Sequence, residues 1–226
     1  MKISIVIPVY NEEKTVQEMI AKVRQIPFGK EIIVVDDGST DKTAEILHSL
    51  QEGSLVLLRH EQNKGKGAAL RTGFSRASGE IIIIQDADLE YNPEDYPALL
   101  QPILEGKADV VYGSRFLGGP HRVLFFWHYA GNRFLTLLSN ILSNLNLSDM
   151  ETGYKVFKKE VLNQIKLKSN RFGFEPEFTI KIAKRKMRVY EVPISYYGRD
   201  YSEGKKITWK DGVLAVIALF RFRIWD

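Results

Sequence analysis

The sequence predicts an α/β fold in which helices cover both faces of a mostly parallel sheet. Through about the first 115 residues, short runs rich in Ile and Val alternate with segments of helical spacing. One run, Ile81–Ile84, is apolar on both of its faces, as expected for a strand that lies between two layers of helices. Because crossovers between parallel strands are right-handed, the alternation predicts a doubly wound sandwich.

Five strands and four helices are predicted in this first part of the chain. We expect the strands at Ile3–Val9, Glu31–Asp36, Ser54–His60, Glu80–Gln85 and Asp109–Gly113, and the helices at Lys14–Ile26, Thr43–Leu50, Gly67–Ala77 and Glu94–Leu104.

The second half has a different pattern. An aromatic segment at Phe116–Tyr129 precedes an amphipathic helix at Asn132–Leu147 and a loop at Asp149–Gly153; helices at Lys159–Ile165 and Glu175–Lys186, a strand at Arg188–Tyr196 and a last helix at Trp209–Arg223 follow. No internal repeat or linker-like stretch interrupts the sequence. We therefore expect residues 1–226 to form a single domain.

Composition excludes several classes of protein. The 226 residues include no cysteine, which excludes disulfides, Cys-ligated metal centres and thiol nucleophiles. The net charge of +4 is a weak signal for nucleic acid, and we expect no such partner. The longest apolar run near the C-terminus, Val213–Phe220, is far shorter than the ~20 residues that span a bilayer. With no signal-peptide pattern at the N-terminus, we expect a cytoplasmic protein.

Three of the predicted strands run into acidic or polar residues at their carboxyl ends. The first leads into Tyr10-Asn11-Glu12, the second into Asp36-Asp37 and the fourth into Asp86-Ala87-Asp88-Leu89-Glu90. Ligands of open α/β sheets bind beyond these ends, and ionised carboxylates are almost never buried without a partner. Helix capping accounts for Asp41 but not for Asp86 and Asp88 together.

This acidic edge predicts a metal site. If the chain stays extended after the fourth strand, Asp86 and Asp88 point to the same side. Like charges so close raise at least one pKa unless a cation lies between them. Mg²⁺ or Mn²⁺ takes oxygen ligands and also binds substrate phosphates. Glu90 would add a third carboxylate, so the predicted ligands are Asp86, Asp88 and Glu90.

The glycine-rich run 63–70 fits neither of two well-known phosphate loops. Dinucleotide-binding spacing would need glycine where Leu70 stands, and no Gly-Lys-Ser/Thr tripeptide occurs. What remains is a turn that brings backbone N–H groups, Lys64 and Lys66 to a helix N-terminus, which is a modest anion site. The four histidines show no metal-ligand spacing, and we expect structural or surface roles for them.

Taken together, the motifs resemble the family 2 glycosyltransferases of the GT-A fold. They are Pro8-Val9-Tyr10-Asn11-Glu12, Val34–Asp41, Asn63–Gly67 and Asp86-Ala87-Asp88. Gly113–Phe116, Asn132-Arg133 and Asp149–Lys155 further resemble the branch of dolichyl- or polyprenyl-phosphate mannose and glucose synthases. The resemblance covers about residues 3–210. It implies a Rossmann-like sandwich with a nucleotide-sugar-binding half at 1–115 and an acceptor-binding half at 116–226.

The resemblance also implies roles for individual residues. The base and ribose of a nucleotide-sugar would be held by Pro8, Tyr10, Asn11, Glu12 and Asp37. Lys66 and Asp86 would also bind the donor, and Asp88 would bind the metal; a late basic loop with Arg199 and Lys205 would cover the diphosphate. The acceptor phosphate would be clamped by Arg115 and Arg133. Glu90 stands where many members carry Gln, which can also coordinate a metal.

The expected reaction is inverting transfer of mannose or glucose from a GDP- or UDP-sugar to polyprenyl or dolichyl phosphate. A phosphate monoester is already anionic at neutral pH and needs no base, and guanidinium groups bind it in a bidentate manner. Two alternatives stay open. A saccharide hydroxyl acceptor would require a base, for which Asp149 or Glu151 is the nearest candidate. A nucleotide-binding module without catalysis is the other.

Two segments are candidates for contact with lipid. They are Leu124–Tyr129 and Val213–Trp225, and the second mixes aromatic residues with arginines as interfacial helices do. The alternative is that both pack on the domain's own core while their arginines extend to solvent. We therefore expect either peripheral binding at the cytoplasmic face of the membrane or a membrane-protein partner.

Overall fold

Strands and helices alternate along the chain in a computed structural model, which describes residues 2–51, 53, 55–118, 121–123, 125–199 and 209–225. The strands are β1 (Ile3–Val9), β2 (Lys30–Asp36), β3 (Leu55–Arg59), β4 (Ile81–Ile84), β5 (Val110–Ser114), β6 (Lys155–Lys158) and β7 (Val189–Pro193). The helices are α1 (Val16–Gln25), α2 (Thr43–Ser49), α3 (Lys66–Arg76), α4 (Tyr96–Leu104), α5 (Phe126–Ser143), α6 (Val161–Gln164), α7 (Phe174–Lys184) and α8 (Trp209–Ile224).

The strands form one mixed sheet in the order β3-β2-β1-β4-β6-β5-β7. The pairs β1–β2, β1–β4, β2–β3 and β5–β7 are parallel. Strand β6 runs antiparallel to both of its neighbours, β4 and β5. The carboxyl ends of β1, β2 and β4 therefore lie at one edge, which the parallel register of these strands fixes.

Each face of the sheet buries its own apolar cluster. One cluster joins the sheet to α1, α2 and α4 through side chains such as Met19 and Leu99. The other joins it to α3, α6, α7 and α8, with Phe74 and Phe178 among its members and part of α5 packed against it. The predicted sandwich, with a mostly parallel sheet between two layers of helices, is confirmed.

All nine elements predicted for the first 115 residues are present, with boundaries shifted by at most a few positions. Asp41, predicted to cap the second helix, lies one residue before the N-cap Lys42, and its Oδ1 accepts a hydrogen bond from the backbone N–H of Thr43, the first residue of α2, at 3.0 Å.

Two predictions for the second half need correction. Strand β6 lies between the predicted loop and the predicted helix that follows it, where the sequence pattern predicts no strand. The amphipathic helix expected at Asn132–Leu147 begins earlier, at Phe126, and ends at Ser143. It ends there because the next residue, Asn144, adopts a left-handed conformation with φ 58°. The aromatic segment is therefore partly helical.

Candidate functional site at the carboxyl edge of the sheet

The acidic residues of the predicted site gather at the carboxyl edge of β1, β2 and β4, where two cations connect them. Lys66 at the start of α3 binds Asp86, and Arg199 after β7 binds Glu12 and Asp88. The edge therefore holds alternating negative and positive groups in one cleft.

Lys66 bridges two carboxylates from different parts of the chain. Its Nζ lies 2.9 Å from Asp86 Oδ1 and 3.3 Å from Glu175 Oε1 at the first turn of α7. Burial alone would lower the pKa of the Lys66 ammonium, but the charges of Asp86 and Glu175 raise it above its usual value. Lys66 is therefore a fixed positive charge in the cleft.

Asp37 organises the turn that leads to Lys66. Its Oδ2 accepts hydrogen bonds from Asn63 Nδ2 at 3.0 Å and Gly65 N at 2.7 Å, and its Oδ1 accepts one from Lys64 N at 3.0 Å. His60 Nδ1 lies 2.6 Å from the same Oδ1. The carboxylate is 2 % exposed and already fully engaged. Direct contact with a nucleotide stays a prediction, whereas the observed role of Asp37 is to position the turn.

Glycine is required at position 65 of this turn. Gly65 has φ 98°, and a Cβ built on it would lie 2.4 Å from the carbonyl oxygen of Asn170. The turn is thus pressed against the segment that precedes α7, and this contact fixes where α3 begins.

Arg199 neutralises the carboxylates on the other side of the cleft. Its guanidinium lies 3.2 Å from Asp88 Oδ2 and 3.3 Å from Glu12 Oε2, and its backbone N–H donates to Glu90 Oε1 at 2.9 Å. Tyr196 Oη also donates to Glu90, at 2.8 Å. Burial raises the pKa of Asp88 to about 7, and the neighbouring charges of Asp86 and Glu90 act in the same direction.

The predicted metal ligands are close but not assembled. Among the residues that the structure describes, no three acidic or histidine side chains converge as a preformed metal site requires. Asp86 faces Lys66, whereas Asp88 and Glu90 face Arg199. The three carboxylates nevertheless fit a hard divalent cation, because Mg²⁺ and Mn²⁺ bind carboxylate oxygens and neutralise their negative charge. In this arrangement the guanidinium of Arg199 is the cation beside Asp88.

The remaining residues predicted to bind the donor lie near the end of β1. Pro8 is the penultimate residue of the strand, and Tyr10 is partly exposed just beyond it. Asn11 adopts φ 53°, and its Oδ1 accepts a hydrogen bond from Thr40 N at 2.8 Å. Lys205, the other residue of the predicted basic loop, lies outside the described residues.

The two arginines predicted to bind the acceptor both contact the loop at 148–149. Arg115 makes a bidentate ion pair with Asp149, with Nε 2.6 Å from Oδ2 and Nη2 2.7 Å from Oδ1. Arg133 Nη1 donates to the carbonyl oxygen of Ser148 at 3.3 Å. The Arg115 guanidinium also stacks on the ring of Tyr196, 5.1 Å from its centroid.

In this geometry Asp149 is engaged by Arg115, and its role as a general base stays a prediction. Its side chain is completely buried, and both of its oxygens are occupied by Arg115. Burial raises the pKa of Glu151 to about 8, with the charge of Glu175 acting in the same direction. Glu151 Oε1 has no hydrogen-bond partner within the described part of the chain. Asp149 holds Arg115 in place.

Sequence reasoning missed three residues that shape the site. Glu175 pairs with Lys66, Tyr91 Oη accepts from Gly153 N at 2.8 Å, and Glu191 binds the 148–149 loop. The one available signal was for Glu175, which falls at the start of a predicted helix where acidic residues are common. Gly153 packs against Asp86, and a Cβ there, 2.2 Å from Asp86 Oδ2, would displace this carboxylate.

Comparison with solved structures supports the fold. Glucosyl-3-phosphoglycerate synthase from Mycobacterium tuberculosis, solved with Mn²⁺ and UDP-glucose, superposes with a TM-score of 0.78 at 22% sequence identity, over 98% of this chain and 78% of that one. At this identity the likeness shows the fold, which is that of the GT-A glycosyltransferases. No helix in the described ranges combines the length and apolar character needed to cross a bilayer.

Two archaeal relatives and a family model identify the family. A dolichol-phosphate mannosyltransferase from Pyrococcus furiosus is 32% identical over 91% of this chain, which spans 59% of that protein. A UDP-N-acetylglucosamine–dolichyl-phosphate N-acetylglucosaminyltransferase from Methanococcus voltae is 30% identical over 88% of this chain and 87% of that protein. The model described as glycosyl transferase family 2 matches residues 4–166. The acidic edge and its basic partners thus belong to a family 2 glycosyltransferase, and the chain resembles the dolichyl-phosphate sugar synthases within that family.

Proposed function

We propose that this chain is a metal-dependent inverting glycosyltransferase that moves a hexose from a GDP- or UDP-linked donor to a polyprenyl or dolichyl phosphate. A phosphate oxygen of the acceptor attacks C1 of the sugar, the bond from C1 to the nucleoside diphosphate breaks, and the diphosphate leaves with the electron pair. Mannose and glucose are the proposed sugars, and the Methanococcus voltae relative adds N-acetylglucosamine to the donors that need testing.

The acceptor proposal depends on one observation: Arg115 and Arg133 are anchored to the same short loop beside the acidic cleft. Two guanidinium groups suit a phosphate monoester, and Arg115, whose Nε and Nη2 already bind Asp149, would offer it the N–H donors that remain on its guanidinium. The carboxylate nearest to them, Asp149, is already bound to Arg115 and has no free oxygen with which to take a proton. A phosphate nucleophile needs no such base, so the arrangement favours phosphate over a hydroxyl.

The donor side of the cleft suits a nucleoside diphosphate. Asp88, with Asp86 and Glu90 beside it, would hold a divalent cation, which would neutralise charge on the leaving diphosphate. Lys66 supplies a permanent positive charge at the N-terminus of α3, where backbone N–H groups also favour an anion. Solved structures of the mycobacterial synthase contain Mn²⁺ together with UDP or UDP-glucose, which supports the same pairing of metal and donor here.

A transfer assay with the purified chain tests this proposal. The chain is incubated with polyprenyl phosphate, Mn²⁺ or Mg²⁺, and radiolabelled GDP-mannose, UDP-glucose or UDP-N-acetylglucosamine in turn, and the lipid product is separated. We expect one donor to give a labelled lipid that disappears with chelator. Asp88→Asn should lower the rate at least about a hundredfold. The absence of metal-dependent lipid product with every donor contradicts the proposal.

A hydroxyl acceptor is the second candidate, and the state of Glu151 is the observation that favours it. Its buried oxygen has no partner within the described residues, and with a pKa of about 8 only the deprotonated fraction of Glu151 would act as a base, so this activity should rise with pH toward 8. This alternative requires that Glu151→Gln abolish transfer while Arg133→Ala has little effect. The phosphate-acceptor proposal requires the reverse order. A module that only binds nucleotide would instead keep its nucleotide affinity in Asp88→Ala and catalyse no transfer.

We further propose peripheral contact with the membrane through α5 and α8. The support is an unusual exposure of large apolar side chains on these two packed helices. Trp127 is 81% exposed and Ile141 69% exposed on α5, and α8 exposes Val213, Leu214, Ile217, Phe220 and Ile224. Arg221 and Arg223 at the end of α8 can pair with anionic lipid headgroups. Leu124 lies outside the described residues, and a membrane-protein partner stays a prediction.

A further inference from the structure

We propose that Glu191 on β7 is a positioning residue that fixes the two acceptor arginines relative to each other. This inference rests on the proposed function, because it assigns Arg115 and Arg133 to the acceptor phosphate. Glu191 contacts neither arginine in the structure; it acts through the loop at 148–149.

Glu191 holds this loop by its backbone. Its carboxylate accepts hydrogen bonds from Ser148 N at 2.8 and 2.9 Å, from Asp149 N at 3.1 Å and from Ser148 Oγ at 3.2 Å. Ser148 Oγ also lies 2.6 Å from Ser114 Oγ at the end of β5. The two consecutive N–H groups therefore point at a single side chain from a neighbouring strand.

The loop that Glu191 holds carries the anchor of each arginine. The carbonyl oxygen of Ser148 accepts from Arg133 on α5, and the carboxylate of Asp149 accepts from Arg115 after β5. Strand β7 pairs with β5 in a parallel register that sets Glu191 opposite Tyr112. Glu191 thus ties the loop to the sheet, and the separation of the two guanidinium groups follows from the position of this loop.

A carboxylate suits this role better than an amide. It offers two acceptor oxygens to donors on the loop, whereas glutamine offers one oxygen and an NH₂ group that would face a backbone N–H. Burial raises the pKa of Glu191, while the hydrogen bonds from Ser148 and Asp149 oppose that shift. Hydrogen bonds to a charged acceptor are also stronger than those to a neutral one.

The test separates acceptor binding from donor binding. Initial rates are measured at saturating donor while a short-chain, water-soluble polyprenyl phosphate is varied, and the Kd of UDP and GDP is measured by calorimetry. For Glu191→Gln we expect the KM of the acceptor to rise roughly tenfold, with the nucleotide Kd unchanged within about twofold. Glu191→Asp, which keeps the charge but withdraws it by one methylene, should give a smaller rise.

A matched control is Glu31→Gln. Glu31 also binds consecutive backbone N–H groups, those of Ser78 and Gly79, but it lies at the opposite edge of the sheet. The Glu31→Gln variant should leave the KM of the acceptor unchanged. In a double-variant cycle, Glu191→Gln and Arg133→Ala should be less than additive on acceptor KM, whereas Glu191→Gln and Lys66→Ala should be additive.

Three outcomes overturn this inference in distinguishable ways. An active wild type whose acceptor KM is the same in both Glu191 variants contradicts the positioning role alone. An equal loss of acceptor and nucleotide affinity shows a general structural role instead. A wild type that binds nucleotide but forms no lipid product overturns the proposed acceptor, and the inference with it.

Discussion

Individual carboxylates of this chain have opposite environments, and these decide what each can do. Glu31 is held by Lys2, Ser4 and Ser78, and these hydrogen bonds outweigh burial and lower its pKa to about 2. Asp88 is partly buried beside other acids, and burial together with the charges of Asp86 and Glu90 raises its pKa to about 7. Glu31 therefore stabilises the fold as an ion, whereas Asp88 needs a cation beside it. This contrast separates a structural acid from one suited to a ligand site.

We expect Glu31→Gln to destabilise the protein by about 2 kcal/mol at neutral pH, less than the full pKa difference implies, because its Lys2 partner is half exposed and screened by solvent. The pKa of Glu31 in the folded protein lies below its usual value of 4.5, so its stabilising effect is complete above pH 4.5 and is lost as the pH falls toward about 2. Urea unfolding of wild type and variant at pH 7, 5, 4 and 3 measures this effect. The difference should shrink steadily below pH 4.5; a difference that stays constant or grows there contradicts the assignment.

Arg199 is expected to compete with the metal, since its guanidinium lies against Asp88 and Glu12. Arg199→Ala should therefore tighten Mn²⁺ binding in the absence of nucleotide, by about tenfold for the loss of one competing charge–charge contact. Mn²⁺ affinity is read by electron paramagnetic resonance of the free ion. Arg188→Ala is the control, because Arg188 pairs with Asp109 away from the cleft. Unchanged or weaker Mn²⁺ binding in Arg199→Ala would rule out competition.

At the scale of single elements, the turn before α3 shows which structural features the local sequence predicts and which it does not. Its glycines and lysines predict an anion-binding turn, and the structure does join Lys66 to the acidic cleft. The need for glycine at position 65 could not be predicted. The atom that excludes a side chain there is the carbonyl oxygen of Asn170, which is far along the chain. Arg71 on α3 strengthens the same contact, since it donates to the Asn170 side chain at 2.5 Å. Local spacing thus indicates the turn, and a distant segment fixes its position.

We expect Gly65→Ala to lower stability by about 2 kcal/mol or more and to weaken the binding of a nucleoside diphosphate, because the turn and Lys66 must shift. Gly106→Ala is a matched control: Gly106 also has a positive φ, 70°, but a Cβ there would meet no atom within 4 Å. Urea unfolding and calorimetry with UDP and GDP measure both effects. Equal destabilisation by the two variants, with nucleotide affinity intact, would show that backbone strain alone matters at Gly65.

Strand β6 shows why one central element escaped prediction. It has four residues, and its first, Lys155, is completely buried, which the sequence would not suggest for a lysine. The ammonium is satisfied by the carbonyl oxygens of Met150 and Thr152. These contacts form only when the preceding loop folds back toward it. Strand β6, which lies between β4 and β5, was therefore not predicted, because it is short and begins with a buried charged residue.

For the whole molecule, the site joins both halves of the chain. Asp86 meets Lys66 within the first half, but Glu175 and Arg199 complete the cleft from the second. Strand ends predict the first-half residues, because parallel strands bring their carboxyl ends to one edge. The second-half contacts depend on long connections whose path no local pattern encodes. This is why Glu175 and Glu191 emerge from the structure alone.

The exposed apolar side chains of α5 and α8 lie on one side of the sheet, opposite α1, α2 and α4. Burial of aromatic and aliphatic side chains in the headgroup region would offset this exposure, and it would bring a lipid-linked acceptor near Arg133, which lies on α5 itself. The double variant Phe126→Ser with Trp127→Ser should therefore lose most of its binding to anionic vesicles, while it retains transfer to a short, water-soluble acceptor.

Co-sedimentation with phosphatidylglycerol vesicles measures the binding, and the soluble-acceptor assay controls for folding. Leu104→Ser removes an exposed apolar side chain from α4 on the opposite side of the sheet and should leave vesicle binding unchanged. The substituted side chains are exposed in both variants but lie on opposite sides of the sheet. An equal loss of vesicle binding in both variants would therefore indicate nonspecific adhesion. Wild-type binding that persists in the double variant would instead place the lipid contact elsewhere on the molecule.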